Sequence, residues 1–213
     1  MCHNPEKKYL NKLLRYVNET RQLLSSKMKP ERERMVCRAF LRCMGLPFRE
    51  DQIIVSTDEP PDIIFDSTRF EIRELLDDGR RRGDEWAQEA RKVERAEDIE
   101  AVSRPTPSPR QISLEELIPL VADALREKCT RYGAECGRLD ALVYVNLRER
   151  FLSPYSTTMS VEDLEAQGWR SVSMVFIPYA VVMTANSTAP DFLRKRVGQI
   201  ANAWPEPEGW FEP

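Results

Sequence analysis

The chain has a single histidine, His3, among its 213 residues. A zinc site is therefore not expected, because tetrahedral zinc takes imidazole and thiolate ligands at short, regular spacings. The cysteines supply no such spacing. Cys2, Cys37, Cys43, Cys129 and Cys136 are odd in number and contain no CxxC, and Cys37 and Cys43 fall within a helical pattern. Buried free thiols are expected rather than disulfides or metal ligands. Long apolar runs are missing too, which excludes a membrane-spanning helix. The opening "MCHNPEKKYLNKLL" lacks the apolar core of a signal peptide, so a cytoplasmic protein is expected. No internal repeat is visible.

Charge is plentiful instead. With 41% hydrophobic and 31% charged residues, the chain suits one globular domain over residues 1–213 with a heavily decorated surface. The net charge of −3 hides an asymmetry: the first fifty residues carry twelve Lys or Arg against five acids, a net +7, which leaves −10 for the remainder. A basic N-terminal face could follow a phosphate backbone, and it could equally be the solvated face of two helices.

Residues 5–29 read as an amphipathic helix with Tyr9, Leu10, Leu13, Leu14, Val17, Leu23 and Leu24 near helical spacing. A second helix starts around Pro30 and is stopped by Gly45 and Pro47. Its apolar stripe is Val36, Cys37, Phe40, Cys43 and Met44, and counting back along it lands on Glu33, so a carboxylate extends the core-facing side. Three extended segments follow, around 52–56, 62–65 and 69–75, the last two joined by Asp66, Ser67 and Thr68. Residues 84–102 read as a helix. The three prolines of 103–111 make a connector, and Ser113 with Glu116 forms a capping box for a helix to about Tyr132. "LDALVYVNL" at 139–147 fits a strand buried on both faces, and 172–184 suggests a strand pair or one strand broken at Pro178. Residues 30–147 thus form a mixed α/β core, and 148–213 extend its sheet.

The chemistry concentrates at "EPPDIIFDSTRFEIREL". Asp62 begins one strand, and Glu71 and Arg73, two apart on the next, point to one face of the sheet. Two carboxylates converging from adjacent strands suit Mg²⁺ or Mn²⁺, which needs few protein ligands because it keeps waters and takes phosphate oxygens. Such a metal activates water and offsets charge on a pentacovalent phosphate, while a neighbouring cation can steady the transition state. The plainer readings are a salt-bridged Glu71 and Arg73 on a solvated face, and a Glu33 that pairs with Arg73 or Lys92. "RRRGDEW", with Arg80, Arg81 and Arg82, reads as a phosphate-contacting loop or a solvated one. Packing is the preferred role for Trp86, Trp169, Trp204 and Trp210, ahead of base stacking.

"PD", eight residues, then "EIR" resembles the motif of the PD-(D/E)XK nuclease superfamily. That resemblance implies a restriction-endonuclease-like core of helix, three-stranded meander, helix and strand, here with an extra N-terminal helix and C-terminal strands. It implies Asp62 and Glu71 as metal ligands, Glu33 as the helix-borne acid and Arg73 in the lysine position. More narrowly, "ERERMVCRAFL", "FEIRELLDDGRRRGDEW", "LDALVYVNL" and "APDFLR" are similar to a bacterial family of uncharacterised proteins described as endonucleases. Implied with it are DNA as partner, hydrolysis of its phosphodiester bonds, and a homodimer, since nucleases of this shape often dimerise. Arginine stays charged and hardly serves as a base. Three outcomes follow: metal-activated water with Arg73 as a clamp, Lys92 on the following helix as a displaced lysine, or a degenerate site whose chain binds nucleic acid or protein. A structural or regulatory protein with no nucleic-acid role stays open as a third class.

Overall fold

The structure, a computed structural model, describes residues 5–103, 108–155 and 159–204. Cys2, His3, the middle of the proline connector and the tail from residue 205, Trp210 included, lie outside the described residues. The chain divides into two compact units, residues 1–32 with 78–108 and residues 33–77 with 109–213. Helices α1 (Pro5–Leu23), α2 (Lys29–Cys43) and α3 (Arg82–Arg95) come first in the chain.

In the smaller unit, α1 and α3 bury Leu10, Val17, Ala90 and Val93, joined by Val102 from a 3-10 turn at Glu100–Val102. Arg32 closes the end of α1 by donating at 2.7 Å to the Leu23 carbonyl, one of the oxygens a helix C-terminus leaves without an intrahelical partner, and at 2.6 Å to the Ser25 carbonyl just beyond it. The helix expected through 102 stops at Arg95. Ala96 is extended, and Asp98 accepts from the Ala101 N–H at 2.8 Å, a local bond that builds a separate turn in place of another helical one.

The larger unit is built on a seven-stranded mixed sheet. Strands β1 (Ile54–Val55), β2 (Ile63–Phe65) and β3 (Thr68–Leu76) form an antiparallel meander. A short parallel pair, β4 (Arg110–Ile112) with β6 (Arg150–Leu152), stands apart from the main sheet. Helix α4 (Leu114–Tyr132) starts at the expected capping box, with Glu116 N–H on Ser113 Oγ at 3.2 Å and Ser113 N–H on the Glu116 carboxylate at 2.8 Å. Strand β5 (Asp140–Asn146) adds parallel to β3, followed beyond the short helix α5 (Glu162–Glu165) by β7 (Ser171–Phe176), parallel to β5. Strand β8 (Tyr179–Ala185) returns antiparallel, and after α6 (Asp191–Arg194) β9 (Ile200–Ala201) closes that edge. The suspected break at Pro178 is thus a turn between two strands.

The sheet has a helix on each face. Leu114, Leu117, Val121 and Leu125 of α4 cover Ala141, Val143, Val172 and Met174, whereas Cys37, Phe40 and Leu41 of α2 cover Phe70, Ile72 and Leu142. Phe40 meets Phe70 edge to face with centroids 5.8 Å apart. Residues alternate between the two layers along each strand, so the middles of β5 and β7 are buried on both faces, as a doubly covered parallel strand requires, with Asp140, Ser171 and Ser173 as buried polar exceptions. The helix on the sheet between β3 and β5 is α4. Helix α3, which follows the meander directly in sequence, belongs to the other unit.

Candidate functional site

Strand β2 pairs with β3 as Ile63 with Phe70 and Ile64 with Arg69, and Asp62 comes just before the first of these pairs. The Asp62 N–H donates to the Phe70 carbonyl at 3.0 Å, which keeps Asp62 on the ladder. Lys128 Nζ contacts Glu71 and lies 4.0 Å from Asp62 Oδ2, so the two acids are neighbours. Pro60 and Pro61 precede Asp62, and the Ile72 N–H at this end of the ladder is taken by Asp62 Oδ2, 2.8 Å away. Glu71 stands beside Ala141 of β5, whose small side chain leaves room under α4 for a carboxylate. Both acids are buried, at 6% and 2% exposure.

What compensates them comes from α4. Lys128 donates its ammonium to Glu71 Oε1, and to the Ile72 carbonyl at 3.0 Å, and its Nζ lies 4.0 Å from Asp62 Oδ2. One turn on, the Tyr132 hydroxyl donates to the same Glu71 oxygen at 2.9 Å, and Arg131 donates in turn to the Tyr132 oxygen. Burial, then the hydrogen bond and charge of Glu71, push the Tyr132 phenol up to about 12. It therefore remains a donor to Glu71 throughout the neutral range. Trp169 packs edge to face on Tyr132 at 6.5 Å and is itself buried, a packing role as expected for it. Trp86 and Trp204 are likewise partly buried against apolar neighbours.

A second buried charge holds the hairpin in place. Asp140, fully buried at the start of β5, accepts from the Arg69 N–H at 2.9 Å, from Ser171 Oγ at 2.7 Å and from the Arg170 guanidinium on both oxygens. Arg170 also donates to the Ser67 carbonyl in the β2–β3 turn at 3.0 Å. Turn, β3, β5 and β7 are thereby tied to one carboxylate, and the cross-strand pair rides on the hairpin so fixed. A fully buried carboxylate needs such a set of donors.

Of the residues predicted for the site, Asp62 and Glu71 are brought together. Arg73 follows Glu71 on the α4 side, half-buried, and its Nε is buried without a hydrogen-bond partner. Glu33 is buried on α2, as its phase predicted, but α2 covers the opposite face of the sheet. Among the described residues, no group of three or more His, Cys, Asp or Glu is arranged to hold a metal ion, so Glu33 does not join the pair in a three-acid cluster. Arg80, Arg81, Arg82 and Lys92 lie in the other unit. Arg80 Nε bonds the Glu85 carboxylate at 3.0 Å and Lys92 Nζ reaches the Ser103 carbonyl at 3.5 Å. Lys128, Tyr132 and the Asp140–Arg170 pair were missed. Lys128 carried a signal, since it continues the buried stripe Leu114, Leu117, Val121, Leu125 by three residues. Cys37, Cys43 and Cys136 are buried free thiols pushed up to about 12, chiefly by burial, and Cys129 is a half-buried one.

Comparison with known proteins gives a family, a solved structure and a disagreement of labels. The family described as "Putative endonuclease, protein of unknown function (DUF1780)" matches residues 5–205. A solved structure from Pseudomonas aeruginosa strain PAO1, described as a protein of unknown function of the monooxygenase superfamily, is 30% identical, with a TM-score of 0.65 over 92% of this chain and 94% of that one. No curated protein matches. The two descriptions name different chemistries for chains that share a mixed α/β fold. With a match that runs almost from end to end, the chain belongs to the DUF1780 family.

Proposed function

We propose that this chain is a metal-dependent nuclease with a restriction-endonuclease-like core, cutting DNA phosphodiester bonds at Asp62, Glu71 and Lys128. The observation that carries the reading is Lys128. The PD-(D/E)XK pattern needs an ammonium beside its two acids, and the chain has Arg73 at that place in sequence. Here α4 supplies a lysine whose Nζ contacts Glu71 and lies 4.0 Å from Asp62. The order helix, antiparallel meander, helix, parallel strand, met in α2, β1 to β3, α4 and β5, supports the same reading.

The donor set fits Mg²⁺ or Mn²⁺. Two carboxylates with little exposure, already converging on one cationic group, offer hard oxygen ligands, and these ions complete their shells with water and phosphate oxygens. Bound there, the metal would polarise the scissile phosphate and activate water. Asp62 and Glu71 would hold it, with Asp62 fixed by the Ile72 N–H and Glu71 by Tyr132. Lys128 holds positive charge at the carboxylates and on the Ile72 carbonyl, where it can steady charge growing on a phosphate oxygen. Arg73 has a buried N–H without an acceptor, a costly state that an anionic ligand would relieve, so we assign it the role of phosphate clamp. Glu33 is left out of the ligand set.

The test is nicking of supercoiled plasmid with Mn²⁺ or Mg²⁺. Glu71→Ala and Lys128→Met should abolish cutting, Asp62→Asn should weaken metal binding, and Arg73→Lys should retain activity. Wild-type protein that stays inert with both metals across about pH 6 to 9, and binds neither, would end the nuclease reading and leave a degenerate binding module.

A further inference from the structure

Helix α1 is more than an amphipathic support for α3. Its core side carries Leu10 and Val17, yet Tyr9 and Tyr16 at the edge of that side remain 50% and 57% exposed. They are seven residues apart, two turns, so their rings lie on one line about 10 Å apart along the helix. Beside them Trp86 of α3 meets the Tyr16 ring edge to face, centroids 5.8 Å apart at 72°, which holds Tyr16 in place and leaves its other side open. The two tyrosines, Leu13, Trp86 and Ile99 line a groove of about 480 Å³.

Charge says what fits there. Lys8, Lys12 and Arg15, all exposed, follow the tyrosine line on its solvent side at helical spacing. The acids nearby are Glu6 three residues before Tyr9, Glu19 beyond the second tyrosine, Glu89 in the groove wall, and Glu97, Asp98 and Glu100 around Ile99 on the wall away from the three cations. A ridge of open aromatic rings bordered by three cations is complementary to bases on a phosphate backbone. A duplex keeps its base faces stacked inside, so only unpaired bases can lie on Tyr9 and Tyr16. We infer that the smaller unit is a binding surface for single-stranded nucleic acid, with bases stacked on Tyr9 and Tyr16 and phosphates on Lys8, Lys12 and Arg15. All these residues are distinct from the Asp62–Glu71–Lys128 cluster, and the surface stands whether or not that cluster cuts.

The test uses the full chain in chelator, so that no cutting enters, and a labelled oligodeoxythymidylate followed by fluorescence anisotropy. Wild-type protein should bind the single strand more tightly than the same strand in a duplex. Tyr9→Ala and Tyr16→Ala should each weaken single-strand binding by roughly 5- to 100-fold, the usual range for losing one stacked base. Both side chains are exposed, so the variants keep the helical circular dichroism of the parent. Lys8→Glu with Lys12→Glu, which touches no ring, should flatten the dependence of log affinity on log salt by about 1.4, as expected for two single-strand phosphate contacts. Tyrosine variants that bind like wild type, a preference for duplex, or no binding at low salt would each overturn the surface. Plasmid nicking is read separately: a chain that cuts normally but binds single strands without Tyr9 and Tyr16 sinks this inference alone, and one that binds but never cuts sinks only the nuclease reading.

Discussion

Replacing Lys128 by methionine removes the ammonium that contacts Glu71 while preserving the length and apolar stem of the side chain. The carboxylates it leaves have side-chain exposures of 4% for Asp62 and 3% for Glu71, so water cannot take over. Removing one partner from such a buried pair costs about 3–5 kcal/mol, because the remaining charge stays desolvated. For a chain of this length that is a fall in melting temperature of about 6–20 °C, at ~2–4 °C per kcal/mol. The cost should be reversible in a specific way. A divalent cation seated on Asp62 and Glu71 restores the missing positive charge, and a ligand at a hundred times its Kd stabilises by about 2.7 kcal/mol. Thermal melts of wild type and Lys128→Met, each with and without Mn²⁺, read both effects. The variant should melt lower and gain more from the metal than wild type, in which the ammonium competes for the same oxygens. A variant that melts within about 1 kcal/mol of wild type would refute the buried-pair reasoning. Equal metal shifts in the two proteins would refute the placing of the cation on these carboxylates.

The phenol of Tyr132 should titrate near pH 12 by absorbance, above free tyrosine. A raised acid means that the neutral form is favoured by folding, so this contribution to stability is complete below about pH 10 and is lost as pH climbs through the folded value. Tyr132→Phe should lower the plasmid-cutting rate and cost about 1.5–3 kcal/mol, since the ring still packs on Trp169 but buried Glu71 loses a charge-assisted hydrogen bond. Asp140→Asn should cost about 3–5 kcal/mol in urea unfolding by stranding Arg170, with cutting reduced because the hairpin turn loses its anchor. Ser113→Ala should cost about 1 kcal/mol by uncapping α4, read in the same unfolding experiment.

The parts of the molecule that could be read from the sequence are those in which a local pattern and a tertiary demand coincide. Asp62 and Glu71 were legible because strand pairing across a short turn is a local event: the two-residue turn Asp66–Ser67 fixes the register that brings the two acids near one another. The α4 capping box and the doubly covered strand at 140–146 were legible for the same reason. Helix α3 misled because order in sequence was taken for order in space. Residues 78–108 leave the sheet unit after β3 and pack with α1, and the chain returns to the sheet only at 109. A search for the displaced lysine on the helix after the meander therefore reached Lys92, which belongs to the smaller unit, whereas the lysine that contacts Glu71 comes from α4.

Asp140 shows the other kind of limit. A carboxylate at the head of a strand buried on both faces announces that a partner must exist, because an unpaired buried charge is too costly to survive. Nothing local identifies which of the 32 Lys and Arg it is, since Arg170 comes from a different strand segment thirty residues on. Lys128 lay between these cases. The stripe Leu114, Leu117, Val121, Leu125 carries forward to 128 and 132, and a lysine followed four residues later by a tyrosine on a buried stripe demands acceptors beneath the helix. The unassigned acceptors were already in view, Asp62 just before β2 and Glu71 on β3, which had no cation of the right kind. Joining them needed one more premise, that the helix packed on β3 is the one immediately preceding the parallel strand β5. A βαβ connection of that kind puts its helix on the sheet face, and with that premise Glu71 and Lys128 become the pair that burial on that face requires.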